Sequence, residues 1–167
     1  MNKGQDSEEG RTVKNGYSGR NVIKFGGKMA KITQDMKDIA EQAVIFIAAT
    51  ASKDGKPNGV PIGLTRIISD DEIMLFDNFM HKTRQNIAEN PVVAITFWAK
   101  EARYGYQCKG PARVETAGNH FDEAIQWLQS KGRNFQPKAV VIVKVEEIYY
   151  VGARKDSSIR LDQMDTE

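Results

Sequence analysis

The sequence predicts a mainly β protein with short helices, an α+β chain whose antiparallel strands curl into a barrel. Three observations carry this. Apolar runs of strand length recur between hairpin turns, giving about six strands and three short helices. Strict strand–helix alternation is absent, which argues against a doubly wound parallel sheet. Two long strands are interrupted by Gly and Pro, at Gly59-Val60-Pro61 and Gly110-Pro111, as in a barrel that bends at its corners.

The elements follow in order. Thr33 is a candidate N-cap, and Met36, Ile39, Ala40 and Ala43 recur at helical spacing to form the stripe of a short amphipathic helix. VIFIAAT (44–50) is a buried strand closed by SKDGKP, where Asp54-Gly55 signals a hairpin. GVPIGLTRII is the partner strand, SDDE a turn, and EIMLFD the third strand. A second helix opens near His81 and ends at Asn90-Pro91, where Asn tolerates a left-handed cap and Pro cannot continue a helix. VVAITFWAK (92–100) and YQCKGPARVET are strands on either side of the EARYG turn. Asn119 is expected to cap the third helix. Its first turn holds Asp122 and Glu123, its apolar face holds Phe121, Ala124, Ile125 and Leu128, and Gly132 stops it. KAVVIVKVEEIYYVG (138–152) is the last strand, and the polar RKDSSIRLDQMDTE is expected to fray.

Composition narrows the class. A chain of 167 residues, 40% hydrophobic and 28% charged, suits one soluble globular domain. Residues 1–28 carry six Lys/Arg against three Asp/Glu and few apolar side chains, so they read as a flexible N-terminal extension. The folded unit is expected over 29–152, with a polar tail over 153–167. Outside the extension, 18 basic residues face 19 acidic ones, which argues against a nucleic-acid surface. No apolar run approaches the roughly 20 residues of a membrane span, and no signal-peptide h-region is visible. The single Cys108 rules out an internal disulfide framework and agrees with a reducing, cytoplasmic setting.

Most reactive chemistries are weakly signalled. His81 and His120 stand far apart without Cys or carboxylates at ligand spacing, so no metal site is expected. Cys108, in a strand without a His partner, reads as core. No nucleophile elbow, P-loop or dinucleotide fingerprint is present. Phe97, Trp98, Tyr104, Tyr106, Tyr149 and Tyr150 lie in strands, where core packing and dimer contact account for most of them. FMHKTRQNIAENP (79–91) is the unusual stretch. A helix N-terminus carries partial positive charge and unpaired N–H groups, so acidic residues usually settle there. Here the first turn offers His81, Lys82, Thr83 and Arg84. Backbone donors, dipole and a countercharge together suit a phosphate monoester. A solvated basic turn would carry the same residues, so this stretch alone leaves both readings open.

The surrounding order of elements adds to the phosphate reading through a family resemblance. GVPIGLTRI, EIMLFDN, the basic helix start, an ENP stop, a strand and then YQCKGPARV together resemble the pyridoxamine 5'-phosphate oxidase-like family, from about Met36 to Gly152. MHKTRQNIAENP and YQCKGPA are the most specific pieces. The resemblance implies a six-stranded antiparallel split β-barrel of the FMN-binding type, with flavin held non-covalently between two subunits of a homodimer. By position, Lys82 and Thr83 would take the 5'-phosphate. Pro61, Ile62, Gly63 and Leu64 would run beside the flavin, where the missing side chain of Gly63 lets a ring approach the backbone. Asp77 and Asn78 would hold the ribityl chain and ring edge. Asn86 would support the phosphate or a neighbouring loop, and Gln107 lies in the strand that closes the pocket. The C-terminal stretch offers no match to the Arg and Trp substrate segment of true vitamin oxidases. A flavin-dependent reductase or electron carrier is therefore expected, its substrate or redox partner left open. A non-enzymatic barrel binding a deazaflavin, haem or nucleotide is the alternative, and no residue is singled out as general acid or base.

Overall fold

The computed structural model describes residues 30–153 and 160–161. In chain order the elements are α1 (Gln34–Gln42), β1 (Phe46–Ala51), β2 (Pro57–Ile62), β3 (Thr65–Ile67), β4 (Glu72–Asp77), α2 (His81–Glu89), β5 (Val92–Ala99), β6 (Tyr104–Glu115), α3 (Asn119–Ser130), β7 (Ala139–Lys144) and β8 (Glu147–Gly152). The mainly β, antiparallel barrel expected from the sequence is observed. The six expected strand stretches become eight strands because two of them bend. GVPIGLTRII breaks at Gly63-Leu64 into β2 and β3, and KAVVIVKVEEIYYVG breaks at Val145-Glu146 into β7 and β8.

At the first break the chain leaves β1 for β4, and at the second it stays on β6 but leaves β4. All strand pairs are antiparallel, in the order β2-β1-β5-β6-β7-β4-β3, with β8 also on β6. The β6 strand joins the two halves. Tyr104–Pro111 pairs with β5 and Tyr104–Lys109 with β8, whereas Ala112–Glu115 pairs with β7. The crossing falls at Gly110-Pro111. A Cβ on Gly110 would lie 1.8 Å from the carbonyl oxygen of Lys144, so only glycine fits where β7 turns into β8 over β6.

The two sheet halves bury different patterns. β1 and β5 alternate, placing Phe46, Ala48, Val93, Ile95, Phe97 and Ala99 inside the barrel. β4 and β7 are buried almost continuously because both their faces are covered. Ile73, Leu75, Val141 and Val143 face the barrel core. Met74, Phe76, Val140 and Ile142 pack under Ala124 and Leu128 of α3. Cys108 is fully buried in the main core, and burial pushes its thiol up to about 12.

Helix ends follow local chemistry, with two corrections. Thr33 caps α1 as expected, its Oγ1 accepting from the Met36 N–H at 3.4 Å. Gly132 stops α3 in the left-handed region at φ +68°. Its N–H donates to the Gln129 carbonyl and the Arg133 N–H to that of Leu128, the paired bonds of a Schellman ending. Asn119 is not the cap of α3. Gly118 takes that position at φ +97°, which a side chain at residue 118 would strain, and Asn119 opens the helix. Asn90 is extended rather than left-handed (φ −144°), and its side-chain amide donates to the Ala51 carbonyl. That bond ties the end of α2 to the β1–β2 hairpin.

The extension over 1–28 lies outside the described residues, as does most of the tail over 153–167. Part of the tail is ordered on the barrel. Arg160 bridges to Tyr149 and faces Glu147 at 3.8 Å, while Leu161 packs against the core. The edge of β8 supplies contacts there that a polar sequence does not announce. Among the described residues no helix is long and apolar enough to cross a membrane.

Candidate functional site

The site begins where β4 runs out. Asp77 is 1% exposed, and its Oδ1 accepts from the Met80 N–H at 2.8 Å, closing the loop between β4 and α2. Its Oδ2 lies 3.5 Å from Nε of Arg84, one turn along α2. One carboxylate thus fixes both the loop and the direction of the helix. The start of α2 itself has no side-chain cap and no acidic residue in its first turn. The His81 N–H turns back to the Phe79 carbonyl and the Arg84 N–H closes the first helical bond to Met80, leaving the N–H groups of Lys82 and Thr83 open among the described residues. Lys82 is exposed beside them. Asp77 answers the helix start from behind, through the Met80 N–H, while the Lys82 and Thr83 N–H groups and the Lys82 side chain stay available on the other side.

The opposite wall is the bend between β2 and β3. Val60, Pro61, Ile62, Gly63 and Leu64 face the helix start across a cavity of about 350 Å³, within the range of small-molecule sites. The Leu64 carbonyl accepts from the Phe76 N–H at 3.1 Å, pinning the ribbon to β4. Gly63 has an ordinary backbone conformation, and a Cβ built there meets nothing within 4 Å. Among the described residues no packing or turn requirement calls for glycine at this position, and the space it leaves opens on the cleft. Phe79, 84% exposed, stands at the rim with Lys138 Nζ 5.4 Å from its ring centroid.

Seven of the ten residues expected from the sequence meet on this one cleft: Pro61, Ile62, Gly63, Leu64, Asn78, Lys82 and Thr83. Thr83 lies at its floor, 1% exposed. Three take other places. Asp77 supports the loop from behind. Asn86 is fully buried, its Nδ2 donating to Thr50 Oγ1 at 3.0 Å while its Oδ1 has no hydrogen-bond partner. Gln107 is remote from the cleft. β1 and β5 separate its strand from β2, and its amide donates to Thr96 on the neighbouring strand. Sequence reasoning passed over Phe76, Phe79 and Met80 as site residues. The signal available for Phe79 was a large apolar side chain directly before a basic helix start. Asn58, which contacts Thr83, gave only a polar position in a strand.

Electrostatics favour an anion near Lys82, with one competitor. Ser52 donates to Asp54 at 2.5 Å in the β1–β2 turn. That bond first, then Asp54's own backbone N–H and finally Lys82, hold the Asp54 carboxyl below its usual range. Asp54 is fully exposed, so it screens Lys82 only weakly. The arrangement can bind a phosphate at one end and accept a flat ring against a side-chain-free ribbon at the other. The residues therefore fit FMN.

Residues 32–152 match the family model of pyridoxamine 5'-phosphate oxidase. An uncharacterized protein from Methanocaldococcus jannaschii is 35% identical over 137 residues, covering 81% of this chain and 91% of its own. Among solved structures, HupZ of Group A Streptococcus is 33% identical with a TM-score of 0.68, over 75% of this chain and 98% of that one. An FMN-binding protein from Syntrophomonas wolfei (17% identity, TM-score 0.62, 72% and 86% covered) shares the fold. So does a haem-binding protein from Mycobacterium smegmatis (16% identity, TM-score 0.57, 73% and 54% covered). The chain belongs to the pyridoxamine 5'-phosphate oxidase family.

Proposed function

We propose that this family member is an FMN-binding flavoprotein, acting as a flavin-dependent oxidoreductase or electron carrier. The observation that carries the reading is a single cleft bounded by the uncapped start of α2 with Lys82 at one end and the open backbone of Gly63 at the other. FMN, when bound, supplies the redox chemistry through its ring. The chain's own residues bind and orient it. Lys82 and the first-turn N–H groups take the phosphate, Pro61–Leu64 carry the ring, and Phe79 shields the rim from water. The flavin-binding unit is proposed to be residues 29–152.

The reading includes a homodimer. Its support is the outer face of the β1–β5 half, where Ile45, Ile47, Val92 and Trp98 are 42–55% exposed. Gln107 belongs to the same face, so in a dimer it would serve at the subunit interface rather than in the cleft of its own chain.

The test compares FMN with riboflavin, which lacks the phosphate. A hydrogen bond to a charged group contributes roughly 1.5–3 kcal/mol, about 10- to 150-fold in affinity. Lys82→Ala should weaken FMN by about that factor and leave riboflavin unchanged. Equal weakening of both ligands would remove Lys82 from the site. The absorption spectrum and the mass of the ligand released on denaturation distinguish FMN from haem or a deazaflavin. A colourless protein that takes up no added FMN would overturn the reading.

A further inference from the structure

Behind the floor of the cleft lies a polar cluster that the proposed chemistry has not used. Asn58 on β2 stands opposite Thr50 on β1, and its Nδ2 is 3.2 Å from Thr50 Oγ1. The same nitrogen is 3.2 Å from Thr83 Oγ1 in the first turn of α2. Asn86, one turn further along α2, donates to Thr50 at 3.0 Å. Thr50 is 5% exposed, Thr83 1% and Asn86 0%, so these groups cannot exchange partners freely with water. On β2, Asn58 shares its face with Val60 and Ile62, both of which line the cleft.

Proton counting gives the cluster a direction. An amide nitrogen carries two hydrogens, and Asn58 Nδ2 has a hydroxyl oxygen at 3.2 Å for each, one on Thr50 and one on Thr83. Thr83 therefore accepts at Asn58 and keeps its own O–H proton for another partner. Thr83 lines the cleft, beside the open N–H groups of Lys82 and Thr83.

We infer that Asn58 is a positioning residue for anion binding: it holds the Thr83 hydroxyl as a donor directed at a phosphate seated on the start of α2. The inference rests on the FMN reading above. Asn58 itself need not touch the ligand. With the amide reversed, Thr83 would give its proton to Asn58 and present lone pairs to the anion, which would repel it. The assigned orientation is the one in which the site binds phosphate.

The experiment is a double-mutant cycle on the full chain, read by the affinities of FMN and riboflavin. A neutral hydrogen bond contributes about 0.5–1.5 kcal/mol, or about 2- to 12-fold. Asn58→Leu should weaken FMN by about that factor and leave riboflavin unchanged. In a Thr83→Val background Asn58→Leu should change neither affinity, since the hydroxyl it positions is gone. Thr83→Ser, which keeps the hydroxyl, should restore the sensitivity to Asn58. Asn58→Asp, close in shape but acceptor-only, should draw the Thr83 proton inward and weaken FMN more than Asn58→Leu. It also serves as the readout if the leucine variant does not fold. Additive losses in the cycle, or equal losses for FMN and riboflavin, would reduce Asn58 to a packing role and overturn the inference. If Lys82→Ala and Thr83→Val leave FMN binding unchanged, the phosphate site itself falls and the inference with it. If both discriminate and Asn58→Leu does not, only the inference falls.

Discussion

The two halves of the barrel share β6 but meet their surroundings differently. The β4–β7 half is covered on both faces, by the barrel core within and by α3 outside, and its strands are buried almost without interruption. The β1–β5 half has an equally dry interior, yet its outer face exposes Ile45, Ile47, Val92 and Trp98. One half has satisfied its apolar surface within the chain. The other has not, and the cleft opens beside its edge strand β2. The contrast separates residues that serve the fold from residues free to serve a partner or ligand.

The largest expected effect breaks the covered half. Leu128 is fully buried under the β4–β7 sheet, and Leu128→Ala should lower stability by about 2–5 kcal/mol, measured by denaturant unfolding. A loss below about 1 kcal/mol would mean that α3 contributes little to this half.

An alkaline limb comes next and probes the dry interior of the other half. The Cys108 thiol is raised from 9.0 to about 12 by burial, so the folded state keeps its proton after the unfolded chain has lost it. Its contribution is complete below pH 9 and disappears as pH climbs towards 12, by at most about 1.4 kcal/mol per pH unit. Burial first and then the bond to Asp35 raise Tyr106 in the same sense, so part of the limb should persist. Cys108→Ala should flatten the section that starts near 9. An unchanged slope in that variant would show that the thiol is hydrated.

The two smallest changes in stability sharpen the comparison. Gly63→Ala should alter stability by no more than about 1 kcal/mol, since its Cβ meets nothing, while weakening FMN and riboflavin alike by crowding the ring. Retained affinity for both would place the ring elsewhere. Ile47→Asp, at an exposed position of the uncovered half, should change monomer stability by about 0.5 kcal/mol or less. By sedimentation it should shift the protein from dimer to monomer, and a protein that is monomeric before the substitution would refute the dimer.

Much of the fold was legible because its signals are local. Thr33 and Gly132 announce helix ends through backbone chemistry that neighbouring residues complete. The buried and alternating strands show in hydrophobic period alone. The breaks at Gly63-Leu64 and Val145-Glu146 were not legible, because strands far away in sequence set where a pairing begins or ends. β3 takes up β4 after β2 leaves β1, and β8 continues along β6 after β4 is left behind. Gly118 displaced Asn119 as a cap for a related reason. The path from β6 into α3 set a positive φ that only the assembled turn reveals.

The site divides along the same line. By itself the sequence determined a basic helix start and a glycine-bearing strand, and the family resemblance that their order carries then grouped Pro61, Ile62, Gly63, Leu64, Asn78, Lys82 and Thr83. Short-range chemistry decides those features, since a dipole end and a missing side chain are properties of a few adjacent residues. Only the tertiary structure decided that Asp77 braces the loop, that Asn86 and Asn58 stand behind Thr83, and that Gln107 lies on the outer sheet face. A hydrogen bond between side chains 25 or 36 positions apart depends on strand register and helix docking, and no local pattern of residues encodes that distance.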